Sequence, residues 1–199
     1  MTQVRALRSV DYSRTRWKND GGWTTEIARS EDPRGADFRW RVSIAEIETN
    51  GPFSSFPGVV RDLLLLEGSG IELDIDDHAS LRLSGRFERA HFDGESQVQC
   101  RLLAGATRDF NVMARRDAVR AEIVARPLVG AMVVFPEAGT EWLVHVFAGH
   151  ASARNAGMRL ALETCDSLHF DFRDGIGDRV VLDGAGELVM AKFVAIGDN

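Results

Sequence analysis

The chain of 199 residues is 44% hydrophobic and 27% charged, which is typical of a globular protein with room for one large β domain or two small ones. Its formal net charge of −6 argues against a nucleic-acid surface, because binding phosphates requires a concentrated positive footprint. No apolar run reaches the roughly 18 residues of a membrane span, and no apolar core follows Arg5 and Arg8, so we expect neither a membrane partner nor a signal peptide.

Residues 16–26 read Arg-Trp-Lys-Asn-Asp-Gly-Gly-Trp-Thr-Thr-Glu and combine a glycine pair with many polar groups. Gly21 and Gly22 can adopt positive φ angles and let the backbone approach a ligand closely. The alternative is a surface hairpin loop whose polar residues are simply solvated. If the turn is a binding loop, four side chains surround it with donors and acceptors: Lys18, Asn19, Thr24 and Glu26.

The next segment, residues 38–47, is rich in aromatic and β-branched residues with a period of two, which predicts a strand. Successive strand side chains point to opposite faces, so an apolar face and a more polar face are expected. If the apolar face packs on a second sheet, the other face meets solvent or a polar cavity. The two expected faces are Phe38, Trp40, Val42 and Ile44 on one side, and Arg39, Arg41, Ser43 and Ala45 on the other.

Two further segments carry distinctive residues. Residues 51–58 couple two prolines, two glycines and two phenylalanines just before Arg61, and buried aromatic side chains such as Phe53 would order this loop. Residues 108–116 alternate, so that Asp109, Asn111 and Met113 share one face of a strand, while Phe110 and Val112 share the other.

The rest of the chain consists of short β-rich runs separated by turn signals, for example at 67–70, 136–139 and 183–186. This spacing favours antiparallel sheets over βαβ units. We expect a break near Arg126 and Pro127, between two halves that do not fold independently.

Together these segments resemble the HutD/Ves family, which carries Trp-Lys-Asn-Gly-Gly-Gly-x-Thr-x-Glu, Arg-x-Ser-x-Ala, Gly-Pro-Phe-Ser-x-Phe-Pro-Gly-x-x-Arg and Asp-[Phe/Leu]-Asn-x-Met. The matching residues lie within about the first 116 positions. Asp20 replaces the first glycine of the turn; because Asp tolerates the left-handed backbone, we expect the turn to survive, with a carboxylate that could repel an anionic ligand.

The resemblance implies an all-β, cupin (RmlC-like) double β-barrel with antiparallel sheets. Under this interpretation, residues 1–199 form a single bicupin unit. The N-terminal barrel spans about residues 1–126 and the C-terminal barrel about 127–199, with exchange of strands between them.

Many cupins bind a metal through a His-x-His pair, a carboxylate and a further histidine. The five histidines here never form His-x-His, and none lies in the motifs that carry the resemblance. We therefore predict no cofactor and no catalytic metal. The histidines are His78, His91, His145, His150 and His169.

The predicted site is a metal-free pocket for a small carboxylate metabolite. Side chains at i and i+2 point into one space, and arginine binds carboxylates through two parallel hydrogen bonds. The same residues could instead form buried ion pairs, Arg41 with Glu26 or Arg61 with Asp109, that serve only the fold. The predicted ligand-binding residues are Lys18, Asn19, Thr24, Glu26, Arg41, Ser43, Phe53, Arg61, Asp109 and Asn111.

The resemblance also implies a context, since HutD-type proteins are thought to sense an intermediate of histidine degradation. We therefore expect a regulatory or accessory protein that binds formylglutamate or urocanate. The alternatives are a cofactor-independent isomerase or hydrolase with Glu26 or Asp109 as general base, and a structural partner of other proteins.

A homodimer is plausible for a cupin. Cys100 and Cys165 lack CxxC spacing, so we interpret them as reduced core residues of a cytoplasmic protein.

Overall fold

Antiparallel β-strands make up nearly all the regular structure of the chain. The computed structural model describes residues 3–76, 79–173 and 178–197, so His78 lies outside the described residues. Within these ranges the only helical element is a 3₁₀ turn at Ser9–Asp11, and no helix could cross a membrane. The strands are β1 (Gln3–Leu7), β2 (Ser13–Arg16), β3 (Gly22–Ser30), β4 (Trp40–Ile47), β5 (Gly51–Pro52), β6 (Val59–Glu67), β7 (Ile71–Ile75), β8 (Ala79–Leu83), β9 (Arg89–Asp93), β10 (Val98–Leu102), β11 (Thr107–Arg115), β12 (Val119–Val134), β13 (Thr140–Asn155), β14 (Met158–Leu162), β15 (Ser167–Asp171) and β16 (Val180–Ala195).

The chain divides into two compact units. One unit combines Met1–Asp11 with Val119–Asn199 and holds a six-stranded sheet in the order β1-β15-β13-β16-β12, with β14 paired to β13. Its core is built on buried apolar side chains such as Phe170, Leu182 and Leu188.

The other unit, Tyr12–Ala118, contains a six-stranded sheet, β2-β3-β4-β11-β6-β9, and a four-stranded sheet, β5-β10-β7-β8. A buried apolar cluster joins these two sheets, with Leu63 from the first and Leu73 and Cys100 from the second. The strands of both units pair in antiparallel fashion, which confirms the all-β, antiparallel prediction. Cys165, by contrast, is only half-buried, so its placement in the core was wrong.

The alternation predicted for residues 38–47 holds only from Trp40 onward. Phe38 precedes β4 and packs in a separate cluster with Val59 and Met113. Within β4, Trp40 and Val42 are fully buried on the apolar face. The Arg41 and Ser43 side chains lie on the opposite face of β4, where they line the cavity that the next subsection describes.

Two sequence signals for chain breaks fall instead inside long strands. Strand β12 runs through Arg126 and Pro127. Among the described strands it lies at the edge of its sheet beside β16, and a residue without an N–H is tolerated at an edge. Strand β16 runs through the predicted turn at 183–186. Gly184 and Gly186 are required there because a Cβ atom at either position would collide with carbonyl oxygens of β13.

Close strand approach makes Gly149 on β13 sensitive to substitution. Gly149 (φ 84°) and Gly130 on β12 (φ 73°) share the left-handed backbone, but only at Gly149 would a Cβ atom collide, with the Ala185 carbonyl oxygen. Gly130→Ala is expected to cost roughly 1 kcal/mol, the strain of the backbone alone. Gly149→Ala should cost about 3 kcal/mol or more, seen as a thermal midpoint lower by roughly 6 °C or more. Equal losses of stability in the two variants would show that β13 and β16 move apart at little cost to accommodate the Cβ atom.

Candidate functional site

A cavity of about 740 Å³ lies within the 12–118 unit. Four neighbouring strands of its six-stranded sheet, β3, β4, β11 and β6, present alternate side chains to the cavity, and the loops before β3 and after β5 complete it. This follows from the period of two, since residues at i, i+2 and i+4 share a sheet face. The residues of these four strands that line it are Thr24, Arg41, Ser43, Ala45, Arg61, Leu63, Asp109, Asn111 and Met113, and Thr15 and Arg16 of β2 and Pro52 of β5 also contribute.

Strand register concentrates the polar residues in one patch. Asn111 on β11 lies opposite Ser43 on β4 and Leu63 on β6, and Met113 lies opposite both Arg41 and Arg61. Directly opposed residues in antiparallel pairs have Cβ atoms about 5 Å apart. Two arginines on separate strands are thereby brought to the same wall.

The loop before β3 is held by two side-chain hydrogen bonds. Trp17 Nε1 donates to Thr24 Oγ1 at 2.8 Å, and the Gly21 N–H donates to Asn19 Oδ1 at 3.1 Å. The positive φ angle expected of the glycine pair falls instead on Asp20, at 57°. Gly22 is needed for a different reason, because a Cβ atom there would collide with the Glu46 carbonyl oxygen.

Asp20 keeps its carboxylate away from the cavity. Its side chain is 86% exposed, is not among the cavity-lining residues and accepts a bond from Arg16 Nε at 3.4 Å. Asp tolerates left-handed backbone better than most residues, so the exchange of Gly for Asp preserves the turn. The repulsion of an anionic ligand that this carboxylate suggested therefore has no geometric basis.

Glu26 is the one predicted site residue that does not line the cavity. Its carboxylate accepts a hydrogen bond from Arg41 Nε at 2.6 Å and lies 3.5 Å from Arg29 Nε. One of the two ion pairs considered as an alternative is thus present. Arg41 nevertheless lines the cavity, with a side chain that is 23% exposed, so Glu26 orients a cation at the wall.

Arg61 is a buried cation surrounded by aromatic rings. The residue is 6% exposed, and its guanidinium carbon lies 5.1 Å from the ring centres of Phe53 and Phe92 and 5.6 Å from that of Phe56. Cation–π contacts of this kind offset part of the desolvation penalty. Burial lowers the pKa of Arg61 to about 10, opposed by the charge of Asp109. The group remains a cation at neutral pH.

The hydrogen bonds of Arg61 are weak. Its two terminal nitrogens donate to Ser54 O and Asn111 Oδ1 at 3.5 Å each, and its buried Nε has no acceptor among the described residues. Bonds of this length contribute little. The guanidinium, which lines the cavity, therefore keeps unused donor capacity.

Asp109 is a buried carboxyl group without a hydrogen-bond donor. It is 1% exposed, and neither oxygen accepts a bond from any described residue, so the alternative Arg61–Asp109 ion pair is not formed. Burial raises the pKa of Asp109 to about 7, and the charge of Arg61 opposes this rise. Burial also raises the pKa of the Cys100 thiol to about 12, with a smaller contribution from Asp109.

In the described ranges, no cluster of three or more His, Cys, Asp or Glu side chains could hold a metal ion.

Apart from Glu26, every predicted site residue lines this one cavity. The sequence analysis missed several others. Met113 continues the i, i+2 face of Asp109 and Asn111, and Phe56 repeats Phe53 within one loop, so both carried a detectable signal. Phe92, which contacts Arg61 but is not among the residues that line the cavity, carried none, because its place beside Arg61 depends on the pairing of β6 with β9. The missed lining residues include Thr15, Arg16, Trp17, Pro52, Ser54, Ser55, Phe56 and Met113.

Comparison with known proteins identifies the family. The family model HutD matches residues 9–190. The chain belongs to the HutD family. A 21.2 kDa protein of the hutC 3′ region of Pseudomonas putida is 39% identical over 168 residues, covering 83% of this chain and 86% of that protein. Protein Ves of Escherichia fergusonii is 41% identical over 108 residues, which are 54% of this chain and 56% of Ves.

Solved structures agree with this assignment. HutD from Pseudomonas fluorescens SBW25, described for a formate condition, superposes with a TM-score of 0.82 and 33% identity, covering 98% of this chain and 100% of that chain. The pirin YhhW of Escherichia coli, in complex with nickel(II), has a TM-score of 0.69 at 10% identity, covering 98% and 100%. The likeness to the pirin shows the fold alone. The present chain is all-β, and its structural neighbours are cupin-like.

Proposed function

We propose that this HutD-family chain is a metal-free bicupin that binds a small carboxylate metabolite and acts as a sensor or accessory protein of histidine catabolism. Formylglutamate and urocanate are the candidate ligands. The relative in the hutC 3′ region supports the pathway, and the formate condition of the Pseudomonas fluorescens HutD structure is compatible with a carboxylate ligand. In this proposal each of the two compact units closes into one barrel.

The observation that carries the proposal is that Arg61 is a buried cation with weak hydrogen bonds. Burying a cation costs several kcal/mol unless it is well paired, and apolar residues would fill the interior at lower cost. Arg61 is nevertheless buried beside a cavity, with only long hydrogen bonds and a free Nε–H. A ligand carboxylate would accept two parallel hydrogen bonds from this guanidinium. Arg41 and Lys18, also at the cavity, would add attraction for an anion.

Isothermal titration with formylglutamate, urocanate, glutamate and formate tests the proposal. Arg41→Ala should weaken binding of the tightest acid roughly tenfold or more, because it removes a cation from the wall. Arg101→Ala is the matched control: Arg101 also forms an ion pair, with Glu72 at 2.8 Å, but does not line the cavity. Its affinity should equal that of the wild type. Absence of binding by all four acids would refute the carboxylate site.

One observation favours a second candidate, a cofactor-independent enzyme acting on a small acid. Asp109 is buried in the cavity wall with a pKa near neutrality, as expected of a general base or acid. Glu26, the other base considered, is ion-paired with Arg41 and lies off the cavity. Monitoring the ligands for chemical change during the titrations separates the two functions: conversion that Asp109→Asn abolishes would establish the enzyme.

A further inference from the structure

Two residues that line the cavity, Asp109 and Arg61, carry buried polar atoms without hydrogen-bond partners among the described residues. Both oxygens of the buried Asp109 carboxyl lack a donor among the described residues, and Arg61 Nε lacks an acceptor. An unsatisfied buried polar group destabilises the folded state, and a charged group does so more strongly. Two such groups of opposite sign line the same cavity. They would be satisfied together by a molecule that presents an anion to one and a hydrogen-bond donor to the other.

We propose that Asp109 is a specificity residue that selects acids carrying a hydroxyl, amide N–H or ammonium group close to the carboxylate bound by Arg61. This inference rests on the proposed carboxylate site and refines its ligand class. An acid without such a donor leaves the Asp109 oxygens unsatisfied and places its own negative charge near them. A site built to pair with an O–H or N–H group strongly disfavours the analogue that lacks it.

The same geometry predicts that acids with a donor release protons when they bind, whereas acids without a donor take up protons. The charge of Arg61 on β6 acts on Asp109, Asp109 acts on Cys100 on β10, and Arg41 on β4 lines the same cavity. The raised pKa of Cys100 keeps its thiol neutral. A ligand donor stabilises the ionised carboxylate and lowers the pKa of Asp109 from about 7, so binding near pH 7 releases protons. A donor-free acid raises this pKa through like-charge repulsion, so binding takes up protons.

The test is calorimetric titration at pH 7 with 2-hydroxyglutarate and glutarate, which share one carbon chain and differ in one hydroxyl. Each is measured in two buffers of different ionisation enthalpy, which reports the protons exchanged. We expect 2-hydroxyglutarate to bind roughly tenfold tighter or more, with proton release, and glutarate to bind with proton uptake. In Asp109→Asn, the buffer dependence should disappear and the two affinities should converge to within about threefold.

The outcomes separate this inference from the proposed function. Equal affinities of the wild type for both acids, without buffer dependence, would refute the selectivity while leaving the carboxylate site intact. Binding of neither acid would refute both. Because the comparison of the two acids uses the wild type, the conclusion does not depend on how well the Asp109 variant folds.

Discussion

Arg61→Met is expected to weaken carboxylate binding strongly and to leave the protein at least as stable as the wild type. A buried charge without strong hydrogen bonds costs several kcal/mol, whereas methionine retains an unbranched stem and packs well against aromatic rings such as Phe53 and Phe92. Removing the guanidinium also raises the pKa of Asp109, whose carboxyl then becomes neutral at pH 7. No uncompensated charge is left behind.

Affinity and thermal stability together distinguish a binding residue from a structural one. Affinity should fall by roughly 30-fold or more, since losing one partner of a buried charge interaction costs at least about 2 kcal/mol. The thermal midpoint should stay constant or rise by a few degrees, at roughly 2–4 °C per kcal/mol.

Arg89→Met is the matched control with the opposite pattern. Arg89 pairs at 2.6 Å with Asp62, a buried carboxylate, and does not line the cavity. This variant should lose roughly 1–3 kcal/mol of stability and keep full affinity, because a buried carboxylate loses a donor. If Arg61→Met instead lost several kcal/mol and still bound carboxylates, Arg61 would be a structural residue and the proposed site would be wrong.

The second large effect is a pH dependence of stability caused by Asp109. The folded protein binds the Asp109 proton more tightly than the unfolded chain does, since its pKa rises from an ordinary 3.8 to about 7. This group therefore favours the folded state fully below about pH 4. Its contribution is lost as the pH rises toward 7, at about 1.4 kcal/mol per pH unit.

Asp109→Asn isolates this contribution, because the amide is close in shape to the neutral acid and does not titrate. Urea unfolding at pH 5, 6 and 7 gives the free energy of unfolding of variant and wild type. Between pH 5 and pH 7, this free energy should rise by roughly 2–3 kcal/mol in the variant relative to the wild type. Asp11→Asn, on the exposed 3₁₀ turn, should show no such trend. A constant difference for Asp109→Asn would mean that the Asp109 carboxylate is solvated or paired in solution.

Alternation along single strands predicted much of the site. The pairs Arg41 with Ser43 and Asp109 with Asn111 lie on the faces expected from a period of two, and both pairs line the cavity. The family motifs added the order and identity of the segments, which short-range periodicity does not supply. The antiparallel arrangement of the sheets followed from frequent turn signals between β-rich runs.

What the sequence could not supply depends on pairing between distant strands. The position of Phe92 beside Arg61 follows from the β6–β9 register. The sequence left open whether Glu26 lines the cavity or pairs with Arg41, and the pairing of β3 with β4 decides between them. Glycines were also ambiguous. Gly184 and Gly186 read as a turn, but close approach of β13 explains them, and only the paired backbone reveals that approach.

The most direct measurement is a crystal structure of the protein grown with saturating formylglutamate. Our account predicts a carboxylate within about 3 Å of the Arg61 terminal nitrogens, with a ligand N–H directed at Asp109. An empty cavity under these conditions, or a ligand bound elsewhere on the chain, would contradict it.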